Sequence, residues 1–240
     1  MVQYLQLDQF EPDQVLETRL YEASQVAPGP VEKSPEPSFL DRLASGTPTP
    51  GGGSAAAFTG AGAAALVAMV ARLTVGKKKY ASVEFQMWNL IERAELLRAS
   101  LTAAVEEDAA AFDAILSAVR LPKNTPEEQS IRAVAMEKAT LGAAQVPLAV
   151  CHKVVDVMDL AVQAASLGNL NAISDAASGF ALARAALTGA GLNVRVNLIN
   201  LQDQSTASGL IQSLVELEER ARILDTALRA ALKERINLTY

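Results

Sequence analysis

From Ser38 onward, apolar residues fall in long stretches at helical spacing, broken by short runs of glycine, proline and polar side chains. Ser38-Phe-Leu-Asp41 resembles a capping box and opens a short helix that ends near Gly46. The first long helix starts at Ser54, whose hydroxyl can cap free amides after a glycine turn, and runs to about Val75. A second covers roughly Ala81 to Val119 and is stopped by Pro122. Thr125-Pro-Glu-Glu128 supplies a cap, a proline at the first helical position and a glutamate at the third. The helix it opens runs toward Gly168, with Pro147 expected to kink it. Another spans about Ala172 to Thr188, closed by Gly189 and Gly191; a short one holds Asn193 to Asn200; the last runs from about Ser208 to Arg235. No strand is expected in this region. The pattern predicts an all-α, multihelical bundle with long antiparallel helices.

Residues 1–37 read differently. Two apolar patches flank Gln9-Phe-Glu-Pro12, and four prolines between Ala27 and Pro37 mark a linker. The organisation is therefore an N-terminal extension with a Pro-rich linker, residues 1–37, followed by a helical domain, residues 38–240.

Composition strengthens the helical reading. Half of the 240 residues are hydrophobic, alanine is abundant, and aromatic side chains make up 5%. A chain of this length buries a substantial core without staples. Its lone cysteine, Cys151, cannot form an internal disulfide, and with no signal peptide in view a cytoplasmic location is expected. The formal net charge of −6 argues against nucleic acid as a partner. One histidine, His152, and one cysteine cannot make an ordinary His/Cys zinc site, so no metal is expected. His152 sits in an apolar stretch and reads as a helical-surface or core residue. Gly51 to Ala71 carries no charge and nearly spans a bilayer in length, but small Ala and Gly residues dominate it. It reads as a helix buried in protein, with no membrane partner.

Several polar residues can carry chemistry. On the second long helix, Leu97, Leu101, Phe112, Ile115 and Val119 all fall within about 40° of Asp108, which therefore interrupts an apolar stripe. Glu106 and Glu107 point away from it and read as solvated. A carboxyl on a buried face needs a partner, and its placement suits a general acid or base. A structural carboxylate bonded to a neighbouring helix fits the pattern equally well. Gly168-Asn169-Leu-Asn171 and Ser174-Asp175 exceed what one helix cap needs. Asn193 and Asn197 share a helical face four residues apart, bonding either another helix or a polar ligand. Gly51-Gly-Gly-Ser54 before a helix resembles an anion cradle, without the Gly-Lys-Ser/Thr ending of a nucleotide loop. Lys77, Lys78 and Lys79 form either a solvated helix end or a seat for an acidic substrate tail.

Taken together, these stretches resemble the cyclodeaminase half of formiminotransferase-cyclodeaminase, a family that includes stand-alone methenyltetrahydrofolate cyclohydrolases. The resemblance runs from about Ser38 to the last helix. It rests on the joint order of Pro50-Gly-Gly-Gly-Ser54, Thr74-Val-Gly-Lys-Lys-Lys-Tyr80, Asp108-Ala-Ala-Ala-Phe112, Leu121-Pro-Lys-Asn-Thr-Pro-Glu-Glu128, Val146-Pro-Leu148, Gly168-Asn169 with Ser174-Asp175, and Asn193-Val-Arg-Val-Asn-Leu198. In addition, Tyr4-Leu-Gln-Leu and Asp13-Gln-Val-Leu-Glu-Thr-Arg-Leu20 resemble the tail that ends bacterial formiminotransferase domains.

The resemblance implies a homo-oligomer, at least a dimer, and a formiminotransferase as a partner. It implies cyclisation of 5-formiminotetrahydrofolate to 5,10-methenyltetrahydrofolate with release of ammonia. The folate acts as substrate, in part polyglutamylated, and no cofactor is called for. Asp108 matches the family's catalytic aspartate. Asn169, Ser174, Asp175, Asn193 and Asn197 match polar motif positions, here assigned to binding the pterin or formimino group. Gly52, Gly53 and Ser54 are expected to touch substrate through the anion cradle, and Lys77 and Lys78 match basic positions that can hold the glutamate tail. Asn200 departs from the acidic residue the family can carry there, and no family motif contains a histidine that matches His152. A cyclohydrolase using the same cleft, and a non-catalytic helical scaffold for a transferase, are the alternatives.

Overall fold

The structure, a computed structural model, describes residues 37–199 and 201–239. The readings placed on residues 1–36 lie outside it. The chain divides into two units, Met1–Leu40 and Asp41–Tyr240, and the second carries the helical bundle. Among the described residues there are six α-helices and no strand: α1 (Phe39–Ala44), α2 (Gly52–Arg72), α3 (Glu84–Val119), α4 (Pro126–Leu167), α5 (Ile173–Leu198) and α6 (Gln204–Ile236). Short 3-10 turns at Lys78–Val83 and Leu170–Ala172 lead into α3 and α5.

The centre of the bundle is α2. Ala57, Ala63, Ala64, Val67, Ala68, Val70 and Ala71 are completely buried, with α3, α4 and α5 packed around them. By length and composition α2 could cross a membrane, yet most of its apolar stretch is covered by protein. Small side chains make that possible. A Cβ on Gly60 would lie 2.6 Å from Val154 Cγ1, and one on Gly179 of α5 would lie 3.2 Å from the Ala63 carbonyl oxygen. Neighbouring helices therefore rest almost directly on the backbone of α2, and added volume there costs about 1–3 kcal/mol.

Helix boundaries follow local chemistry at some ends and packing at others. At α4, Thr125 Oγ1 accepts from the Glu128 amide while the Glu128 carboxylate accepts from the Thr125 amide, a complete capping box. Pro147 lies buried inside α4, which runs on through it to Leu167. The first residues of α2 depart from the expectation. Gly51 is the cap, and Ser54 is the third residue of the helix, its side chain turned away from the free amides. The expected helices Ala172–Thr188 and Asn193–Asn200 are one helix, α5, because Gly189 and Gly191 pack against α2 and α6 instead of ending it. The tertiary contacts outweigh a glycine penalty of about 1 kcal/mol each. Helix α6 begins at Gln204, not Ser208, because the Asp203 carboxylate accepts from the Ser205 and Thr206 amides.

Candidate active site

Asp108 lies against the start of α2, and the contact exists because residue 53 has no side chain. A Cβ built on Gly53 would come within 2.6 Å of Asp108 Cγ and 2.8 Å of Oδ2. The half-buried carboxyl group thus occupies space that any other residue at position 53 would fill. The amides of Gly52 and Gly53, in the first turn of α2, have no helical acceptor, so this end of the helix favours negative charge.

Ser54 holds Asp108 from the other side. Its hydroxyl is completely buried, 2.8 Å from Asp108 Oδ2 and 3.0 Å from the carbonyl oxygen of Val105. A hydroxyl has one hydrogen and two lone pairs. It can donate to Asp108 when the carboxyl is ionised. When Asp108 carries a proton, the same hydroxyl can accept from it and donate to Val105. Both protonation states therefore find a hydrogen-bonded partner without moving a heavy atom. A carboxyl placed to take up and return a proton needs this property.

Two carboxamides from α5 complete the polar wall. Asn193 Nδ2 donates to the Gly189 carbonyl at 2.9 Å and lies over Gly52, whose added Cβ would be 3.4 Å from it. Asn197 Nδ2 donates to the Ala143 carbonyl at 2.7 Å. That carbonyl would ordinarily accept from the amide of residue 147, but residue 147 is a proline and has none. Pro147 opens an acceptor in the middle of α4, and Asn197 fills it. With both amide nitrogens engaged internally, the side-chain oxygens remain to accept from a ligand. The role of Pro147 was not legible from its position alone, because a helical proline reads as a kink until the partner of residue 143 is known.

Together Gly52, Gly53, Asp108, Asn193 and Asn197 line a cavity of about 240 Å³, closed by Pro48, Thr49 and Gly51 on one side and by Ala111, Phe112, Ile115 and Ala143 on the other. Asp108 is the one titratable residue in this wall. The arrangement suits a flat polar ligand with hydrogens to donate to two carboxamide oxygens, next to one group that can move a proton. Among the described residues no three His, Cys, Asp or Glu side chains cluster as metal ligands.

The remaining expected site residues lie elsewhere. Asn169 is buried at the other end of α2, where structural hydrogen bonds hold its amide and its side chain. Its amide donates to Thr74 Oγ1, its Nδ2 to the Leu73 carbonyl, and its Oδ1 accepts from the Asn171 amide. The Leu170 amide donates to the Tyr80 hydroxyl beside it. Lys77 and Lys78 are exposed at this same end, and Ser174 and Asp175 occupy the first turn of α5, Ser174 exposed and Asp175 half-buried. The 21 residues of α2 separate the two groups by roughly 30 Å. The structure brings Gly52, Gly53, Ser54, Asp108, Asn193 and Asn197 together and leaves Lys77, Lys78, Asn169, Ser174 and Asp175 apart from them. His152 is exposed on α4, 3.4 Å from Ser213 Oγ, away from both groups.

Comparison with known proteins gives a coherent set of matches. The family model described as formiminotransferase-cyclodeaminase matches residues 37–216. A methenyltetrahydrofolate cyclohydrolase of Methylorubrum extorquens is 46% identical over 200 residues, covering 83% of this chain and 96% of that protein. A formimidoyltransferase-cyclodeaminase of Gallus gallus is 32% identical over 229 residues, covering 95% of this chain, and so reaching into residues 1–37. This chain spans only 42% of that relative's length. The crystal structure of a formiminotetrahydrofolate cyclodeaminase from Thermotoga maritima superposes with a TM-score of 0.75 at 29% identity, covering 85% of this chain and 98% of that one.

Proposed function

The chain belongs to the formiminotransferase-cyclodeaminase family, and from that premise we propose that it is an enzyme interconverting one-carbon forms of tetrahydrofolate, specifically a formiminotetrahydrofolate cyclodeaminase. The observation that carries the enzymatic part is the Asp108 cavity, where a single proton-transferring group faces a wall of carboxamide acceptors. The observation favouring deamination is the reach of the bifunctional relative's match into residues 1–37, which also supports a formiminotransferase as partner.

In this reading the folate ring lies against Asn193 and Asn197, and N10 attacks the carbon of the protonated formimino group (CH=NH2+) on N5. The N–C bond that forms gives a tetrahedral centre bearing N5, N10 and the former imino nitrogen, now an amino group. Asp108 takes the proton that N10 loses and returns it to the departing amine. The carbon–nitrogen bond breaks, ammonia leaves, and the methenyl bridge keeps the positive charge. Holding N10 at the carbon supplies proximity, and the carboxyl supplies general acid–base catalysis of about 10²–10⁴-fold.

A second reading has its own support in the 46% identity to a cyclohydrolase matched over nearly its whole length. There, water adds to the methenyl carbon, Asp108 takes a water proton and delivers it to N5 as the N5–carbon bond breaks, and the second proton goes to solvent. The two reactions share a carbon, a tetrahedral centre and a carboxyl. The deciding experiment supplies each folate separately. Ammonia release with methenyl absorbance from 5-formiminotetrahydrofolate supports the first; loss of methenyl absorbance without turnover of the formimino substrate supports the second. Inactivity on both, with tight binding to a transferase, overturns both in favour of a scaffold. A homo-oligomer belongs to the same proposal, supported by Leu192 and Val196 exposed along one face of α5 and by Ile199 exposed just past its end. A monomer in sedimentation velocity overturns that part.

A further inference from the structure

Beside the Asp108 cavity lies a second and larger one, of about 510 Å³, in the groove between the outer halves of α3 and α4. The two adjoin at Ala111 and Ala143, which line both. Their chemistry differs. The first is polar; the second is walled by small apolar residues such as Ala118, Ala139 and Gly142, and carries one charged side chain, Lys138. Lys138 is exposed and has no carboxylate partner among the described residues. It lies five residues before Ala143, about 7 Å along the axis of α4. A ligand starting at Asp108 and crossing the shared wall thus meets a polar surface, then an apolar one, then a cation.

A folate presents the same sequence of chemistries: a flat polar ring, an aromatic ring and a glutamate with free carboxylates. We propose that the α3–α4 groove seats the aminobenzoyl ring of the substrate and that Lys138 binds its first glutamate. The assignment rests on the folate reading above. Lys77 and Lys78 are unsuited to that first glutamate, because they stand at the opposite end of α2, roughly 30 Å away. The combined size of the two cavities is within the range of small-molecule sites. Alanine and glycine in the groove wall leave the width that a flat ring needs.

The test is equilibrium binding of three probes to the full chain: 5,10-methenyltetrahydrofolate as monoglutamate, the same as triglutamate, and 5,10-methenyltetrahydropteroate, which has no glutamate. Lys138→Ala is expected to weaken both glutamylated probes about fivefold at low salt and to leave the pteroate unchanged. The loss is expected to shrink as salt is raised. Ala139→Leu is expected to weaken all three, and Lys77→Ala with Lys78→Ala to leave the monoglutamate unchanged. Monoglutamate binding by Lys138→Ala equal to the parent overturns the proposal. So does an Ala139→Leu variant that binds the pteroate normally but changes its sedimentation coefficient, which would give the groove to a second copy of the chain. If the parent protein binds none of the probes, the folate reading itself fails and this seat fails with it.

Discussion

The Nδ2 atom of Asn197 donates at 2.7 Å to the carbonyl of Ala143, the acceptor in α4 left without a helical donor by Pro147. A proline that weakens one helix thereby orients a side chain of another. Replacing Pro147 by Ala restores a competing amide at that carbonyl. The variant is expected to melt no lower than the parent, since it regains a helical hydrogen bond. It is expected to bind substrate several-fold more weakly, because Asn197 loses sole use of its acceptor. Thermal melting and KM, measured together, check the opposite directions; an unchanged KM would show that Asn197 is positioned by something else.

Gly53→Ala tests the contact with Asp108. The added methyl overlaps the carboxyl group, so either α2 or the side chain must move. A stability loss of about 1–3 kcal/mol is expected, together with a fall in kcat greater than that caused by the same change at exposed Gly62. Equal kcat in the two variants would remove Gly53 from the site.

Asp108→Asn keeps the size of the group and abolishes its proton transfer. The expected loss is about 10²–10⁴-fold in kcat with a much smaller change in KM. Single-turnover formation of methenyl absorbance measures it directly. Retained turnover would sink the assignment.

Asn169 and Asn193 are expected to separate cleanly. Asn169→Ala breaks a fully bonded buried corner and is expected to cost about 1–3 kcal/mol of stability with KM unchanged. Asn193→Ala loses a single bond to its own helix and is expected to raise KM with little change in melting. A raised KM in the folded Asn169 variant would return that residue to the binding site.

The Cys151 thiol is buried in α4, and burial, helped by the Glu218 carboxylate, pushes its pKa from 9.0 up to about 12. It is expected to resist alkylation at pH 8 until the chain unfolds. The linkage has a definite sign. Above pH 9 the unfolded thiol releases its proton while the folded one keeps it, so this contribution to stability is complete below pH 9 and declines as pH rises toward 12. Rapid labelling of native protein would contradict the burial.

Periodicity made much of this visible beforehand. Asp108 stood out because a carboxyl fell on an apolar stripe, and Asn193 and Asn197 because they shared a face. The capping box at Thr125 was legible because its parts are four consecutive residues. Other features needed the third dimension. Whether Gly189 and Gly191 end a helix depends on α2 and α6 packing against them, which local propensity does not contain. Ser54 looked like a cap because serine after glycine usually is one; the helix instead begins at Gly52 with Gly51 as its cap, and Asp108, 54 residues on from Ser54, claims the hydroxyl. Lys77, Lys78 and Asn169 looked like companions of Asp108 because nothing in a linear chain says which end of a helix a polar cluster occupies.

That same helix, α2, offers its neighbours a smooth surface of methyl groups and bare backbone, with few ridges to fix how far it slides along its axis. Its polar fastenings sit at the ends: Ser54 on α3 at one, Thr74 on Asn169 at the other. Register is therefore encoded at the termini, and the ten buried positions from Ala56 to Ala71 specify mainly a maximum size. Such a helix tolerates exchange among small residues along its middle and almost none at its two latches.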